Sequence, residues 1–204
     1  MAKRKGFGQV EPNHLSARYT GQIYAQLPAK DSSGNAITQL ENGQFLKYDY
    51  ANARACNSNS VAGEWMLVFN EEKLYDERYQ NHKDFVLKNT DFTDGLIYPR
   101  LLKINIGDIF TTNTFKSSGT PATVTKSDET ITLPDINIGE YVVIGSDGWL
   151  TKWTAAGGET APTSGIAFKV VPHFSQSYDS THSTWTPGYT LPDGQWAAKL
   201  QRVM

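Results

Sequence analysis

Apolar residues along this chain come in short runs, alternating or continuous, that Gly, Asn, Asp and Pro close. That is the punctuation of an all-β protein. In Gln22–Leu27, Ile23, Ala25 and Leu27 alternate with Gln22, Tyr24 and Gln26, which predicts a strand. Asp31-Ser32-Ser33-Gly34-Asn35 predicts a turn, and Ile37–Leu40 restarts an extended run. Asn42-Gly43 predicts a hairpin because both residues tolerate positive φ, with Phe45–Tyr50 as the returning strand. Trp65-Met66-Leu67-Val68-Phe69 is apolar at every position and predicts a central strand buried on both faces.

After a connector at 83–100, extended runs follow at Leu101–Ile106, Ile109–Thr114, Tyr141–Ile144, Trp149–Trp153 and Ile166–Val171. Asp147-Gly148 marks a turn, and Lys116–Ser127, rich in Ser, Thr, Gly and Pro, reads as an exposed loop. Gln195–Val203 sets Trp196, Ala198 and Leu200 against Gln195, Lys199 and Gln201, a half-buried final strand. Helical spacing is confined to Glu71–His82, where Leu74, Tyr75, Arg78 and Tyr79 share one face.

The expected fold is therefore all-β, with at most one or two short helices and β-sandwich or β-barrel units. Its expected parts are an extended N-terminal arm at 1–20, a first β region at 21–90 and a second β domain at 91–204. Asn42-Gly43-Gln44-Phe45-Leu46-Lys47-Tyr48 matches Asp147-Gly148-Trp149-Leu150-Thr151-Lys152-Trp153 in pattern. Either the halves are a duplicated β unit, or hairpins have reused the same turn residues for steric reasons.

Composition narrows the function classes. The 204 residues carry 19 Lys and Arg against 21 Asp and Glu, a net charge of −2. Nucleic-acid binders usually show a basic excess, so sequence-specific nucleic-acid binding is not expected. Cys56 is the single cysteine, which excludes an internal disulfide and Cys-based zinc spacings, and reads as a small buried or loop residue. No apolar run approaches the length of a membrane span, and the start lacks the pattern of a signal peptide.

Catalytic chemistry finds no motif. Phosphate-loop and dinucleotide glycine patterns are absent, and His14 and His82 have no ligand partners at recognisable spacing. His173 and His182, nine residues apart with Asp179 between them on a loop rich in Ser and Thr, read as surface residues rather than a metal site. Glu71-Glu72 and Asp76-Glu77 read as a solvated helix face. The expectation is a non-enzyme without catalytic, cofactor or metal residues.

Candidate interface residues lie at the two ends of the chain. Lys3, Arg4 and Lys5 precede any acid, beside Phe7 in the pliable run Gly6-Phe7-Gly8. They read either as a solvated tail or as an arm that orders on a neighbouring subunit's acidic surface or on packaged nucleic acid. Tyr178, Trp185 and Tyr189 sit in a polar segment, Ser175–Gly188 and its border. Such aromatics either anchor an interface, stack on sugar rings or cover the end of the β core.

Two further groups of residues carry a family resemblance. Gly6–His14 with Gly21–Leu27, and Gly107–Thr114 with Tyr189–Leu200, resemble tailed-phage virion proteins of the capsid auxiliary, decoration or head-fibre type. The resemblance implies a structural role in a virion assembled in the host cytoplasm. It implies many copies, with the major capsid protein or other virion proteins as partners. The alternative expectation is a carbohydrate- or receptor-binding module of a phage tail or fibre.

Overall fold

The computed structural model describes residues 3–17, 26–70, 86–116, 129–155, 157–172, 178–179, 184–185, 189–190 and 196–204. The expected strand at Gln22–Leu27 lies almost wholly outside them, as do the expected helix at Glu71–His82 and nearly all of the Lys116–Ser127 loop. The described residues form an all-β protein. Its strands are β1 (Lys3–Lys5), β2 (Val10–His14), β3 (Ala29–Lys30), β4 (Gln39–Glu41), β5 (Phe45–Asp49) and β6 (Arg54–Cys56). There follow β7 (Trp65–Val68), β8 (Val86–Lys88), β9 (Leu101–Leu102), β10 (Ile109–Thr112), β11 (Thr130–Thr132) and β12 (Tyr141–Ile144). The last are β13 (Leu150–Lys152), β14 (Ala167–Val170), β15 (Tyr178–Asp179), β16 (Thr184–Trp185), β17 (Tyr189–Thr190) and β18 (Trp196–Arg202).

Two sheets dominate. One has the order β3-β6-β5-β7-β9, and the other β13-β12-β14-β18-β10-β2 with β17 added beside β18. Neither closes into a barrel among the described residues. Alternation along the strands decides how they stack. Phe45, Trp65, Leu67 and Leu102 of the first sheet join Phe110, Val142, Phe168 and Leu200 of the second in one core, a β-sandwich. The intervening positions Leu46, Met66, Val68 and Leu101 point the other way, into a second core with Ala29, Leu40 and Ile97. Both faces of β7 are thus buried, as its unbroken apolar run requires. Phe45, Phe110 and Phe168 form a ring triangle in the sandwich, with centroids 5.4–6.4 Å apart.

The sheets do not divide the chain cleanly at residue 90. Strand β9 completes the first sheet, and β2, from the N-terminal segment, forms an edge of the second. Rather than projecting as an arm, β1 pairs with β11 and β2 pairs with β10.

The two matching turns share their glycine geometry and differ in pairing. Gly43 and Gly148 both have positive φ, at 93° and 82°. At Asp147-Gly148 the turn closes on a true hairpin, β12 with β13, through Gly148 N–H to the Gly145 carbonyl and Gly145 N–H to the Trp149 carbonyl. At Asn42-Gly43 the expected hairpin does not form: β4 pairs with β8, and β5 pairs with β6 and β7. Both Asn42 and Asp147 keep negative φ, so neither turn is type I′; what sets Asn42-Gly43 apart is that its flanking strands find their partners in other segments. The strand orders β6-β5-β7 and β13-β12-β14 also differ, since the strand after the turn is central in one and the strand before it in the other. The two turns meet in the sandwich, where Phe45 N–H donates to the Gly148 carbonyl at 2.8 Å.

Candidate functional site

The N-terminal candidates are placed by a buried ion pair. Arg4, fully buried on β1, donates from Nη2 to Glu41 Oε2 at 2.8 Å. The same oxygen accepts Gly8 N–H at 2.7 Å, and Gln39 Nε2 donates to Oε1 at 3.2 Å. The Arg4 guanidinium also lies 6.0 Å from the centroid of the Trp149 ring, at the outer limit of a cation–π contact. Downstream, Gln9 N–H donates to Asn113 Oδ1 at 2.8 Å, and Thr112 Oγ1 donates to the Gln9 carbonyl at 2.7 Å. Phe7 is buried, with Lys88 Nζ 5.6 Å from its ring centroid. Of the N-terminal interface candidates, Arg4 and Phe7 are thus committed to the interior and Lys5 is exposed. Only the backbone of Lys3 is described.

At the other end, the register sets Tyr178 opposite Trp185 in the β15–β16 pair, and Tyr189 opposite Ala197 beside β18. The structure therefore brings Tyr178 and Trp185 together at the backbone level and puts Tyr189 in a different pair. Their side chains lie outside the described residues. Cys56 is buried in β6, and His14 is exposed at the end of β2. His82, His173 and His182 lie outside the described residues, as do Glu71-Glu72 and Asp76-Glu77. Among the described residues no cluster of His, Cys, Asp or Glu is arranged to hold a metal, and no helix is long and apolar enough to cross a membrane.

A concave site stands where sequence reasoning placed only a strand end. The loop between β5 and β6, with residues 60–62 opposite, encloses a cleft of about 450 Å³ lined by Tyr48, Asp49, Tyr50, Asn52, Arg54 and Ser60 among others. Register makes Asp49 and Arg54 a cross-strand pair that closes the loop. Arg54 Nε donates to Asp49 Oδ2 at 2.8 Å, and its Nη1 donates to the Asp31 and Ser32 carbonyls at 2.9 and 3.2 Å. Asn52 Nδ2 donates to Asp49 Oδ2 at 2.8 Å and Asn52 N–H to Oδ1 at 3.3 Å. These bonds from Asn52, then those from Arg54, hold the Asp49 carboxyl below the ordinary carboxylate range. Asp31 is lowered likewise, chiefly by the Asn35 side chain that donates to it at 3.0 Å.

Tyr50 stands over this polar floor with 70 % of its surface exposed, its ring 5.5 Å from that of buried Tyr48. Ala53 within the loop has φ 47°, the one non-glycine residue with positive φ among those described. Left-handed backbone costs a residue with a Cβ about 1–2 kcal/mol, and such strain gathers at functional loops. Behind the cleft, Lys47 Nζ donates to the Val61 carbonyl at 3.0 Å and lies 4.8 Å from the Trp65 ring centroid. Burial pushes that ammonium below its usual range. A signal for the site was present in Asp49-Tyr50-Ala51-Asn52-Ala53-Arg54, a small-residue turn bracketed by opposite charges, but only pairing across β5 and β6 gives it meaning.

Comparison with family models, with curated proteins and with solved structures gives no match.

Proposed function

We propose that this chain is a non-enzymatic structural component of a phage virion that binds neighbouring capsid or connector proteins and stabilises or decorates the head. The virion assignment rests on the resemblance of the segments Gly6–His14, Gly21–Leu27, Gly107–Thr114 and Tyr189–Leu200. The observation that carries the structural role is the use made of buried charge. Arg4 and Glu41 pair with each other, and Glu41 also takes the Gly8 N–H, lacing the N-terminal segment to the turn before β5. Buried Asp108 accepts Ser16 and Asn105 N–H at 3.0 and 2.8 Å and the Ser16 hydroxyl besides. The charged groups hold distant parts of a small-stranded fold in register, which suits a rigid building block.

The sheet edges fit the same reading. Edge strand β2 carries Pro12, which has no N–H to offer, and its register with β10 shifts between Ile109 and Thr111. Edge strand β13 is partly covered, with Lys116 N–H donating to the Leu150 carbonyl at 2.8 Å. Blunted edges disfavour indiscriminate strand addition and leave side-chain surfaces to select partners. The test is gradient purification of intact, DNA-filled heads from infected cells, followed by identification of the chain in the particle fraction. Stoichiometric retention at high salt is expected. A chain confined to the soluble fraction would overturn the proposal.

A further inference from the structure

We propose that the cleft beneath Tyr50 is a carbohydrate subsite that takes one neutral pyranose ring of a surface glycan. The proposal goes beyond the structural role and does not depend on it.

The chemistry of the cleft selects against other ligands. A phosphate or carboxylate would look to Arg54, but that guanidinium is already neutralised by Asp49 and anchored on the Asp31 and Ser32 carbonyls. A peptide added as a strand needs a free edge, whereas β5 and β6 both lie inside the five-stranded sheet with neighbours on each side. A purely apolar ligand would strand the charged and amide groups of the floor away from water.

A pyranose matches what remains. Its flat C–H face packs on an aromatic ring, and Tyr50 offers one that is exposed and backed by Tyr48. Its hydroxyls both donate and accept: the Asp49 carboxylate has acceptor capacity beyond the three bonds it already takes, and the Asn52 amide oxygen and the Ser60 hydroxyl border the same space. A volume of about 450 Å³ lies within the usual range of small-ligand sites. Preorganisation favours binding as well: the three bonds to Asp49 and the two from Arg54 Nη1 fix the loop before any ligand arrives.

The full-length chain should be titrated with glucose, galactose, N-acetylglucosamine and their short β-linked oligomers, followed by saturation-transfer NMR. At least one probe should bind saturably with a dissociation constant on the order of millimolar, the scale for a ligand of so few atoms. Tyr50→Ala should weaken that binding at least about tenfold, the loss of one stacking contact, while Tyr50→Phe retains it. Both variants should melt with the parent, because the ring is largely exposed. Absence of saturable binding up to about 50 mM of every probe, well above the expected constant, would overturn the proposal. So would binding that Tyr50→Ala leaves unchanged. Either failure leaves particle association intact, and loss of particle association would leave the glycan titration intact.

Discussion

Replacing Glu41 by Gln perturbs the buried clamp while keeping its shape. Arg4 and Glu41 side chains are 0 % and 1 % exposed, and their contact spans 2.8 Å. The amide can still receive one donor, but the buried Arg4 guanidinium loses the carboxylate charge it meets at 2.8 Å. Breaking a buried pair from one side costs about 3–5 kcal/mol, because the surviving charge stays desolvated. For a chain of this size each kcal/mol moves the melting midpoint by about 2–4 °C, so a drop of roughly 6–20 °C is expected. Arg4→Met should fall in the same range, since the buried Glu41 carboxylate then loses the guanidinium it faces. The two losses should not add: the double variant removes both charges, and a coupling of about 0.5–3 kcal/mol should remain in the cycle. Urea unfolding at neutral pH, with midpoints extrapolated at constant slope, measures all four proteins. Single losses below about 1 kcal/mol that add within about 0.5 kcal/mol would refute the clamp.

Four shorter predictions follow from other contacts. Deleting residues 2–8 should destabilise the isolated chain, because it removes Arg4, buried Phe7 and the Gly8 N–H that Glu41 receives; unchanged melting would contradict the packing of that segment. Gly148→Ala should cost more than the about 1–2 kcal/mol of left-handed strain alone, since a Cβ there would overlap the Phe45 carbonyl; a parent-like melt would exclude that seam. Phe168→Ala should lose about 3–5 kcal/mol from the aromatic triangle, and Phe168→Leu distinctly less, by denaturant titration. Asp31 and Asp49 have folded pKa values below their unfolded ones, so their stabilisation is complete above about pH 4 and is lost as pH falls through the folded values. Denaturation midpoints should therefore be flat from about pH 7 to 5 and fall below about pH 4, with a smaller fall in Asp49→Asn.

Local pattern carried much of the architecture. The alternation of Trp196, Ala198 and Leu200, the unbroken run from Trp65 and the Asp147-Gly148 turn each specify an element without help from elsewhere, because side-chain direction along a strand repeats every two residues. What pairs with what was decided by tertiary structure. Asn42-Gly43 reads as a hairpin in isolation, yet the flanking strands find partners from distant segments, β8 and β7. The N-terminal run reads as a pliable basic arm until Glu41, far along the chain, appears beside Arg4 and turns a solvated charge into a buried one. The cleft was illegible for the same reason: Asp31, Asp49 and Arg54 become one constellation only when the turn after β3 is brought against the β5–β6 loop. Sequence alone determined which residues must be inside and where the chain must turn, since burial and φ are local demands. Register, edge and site depend on which strands meet, and that is settled by long-range packing that no single segment contains.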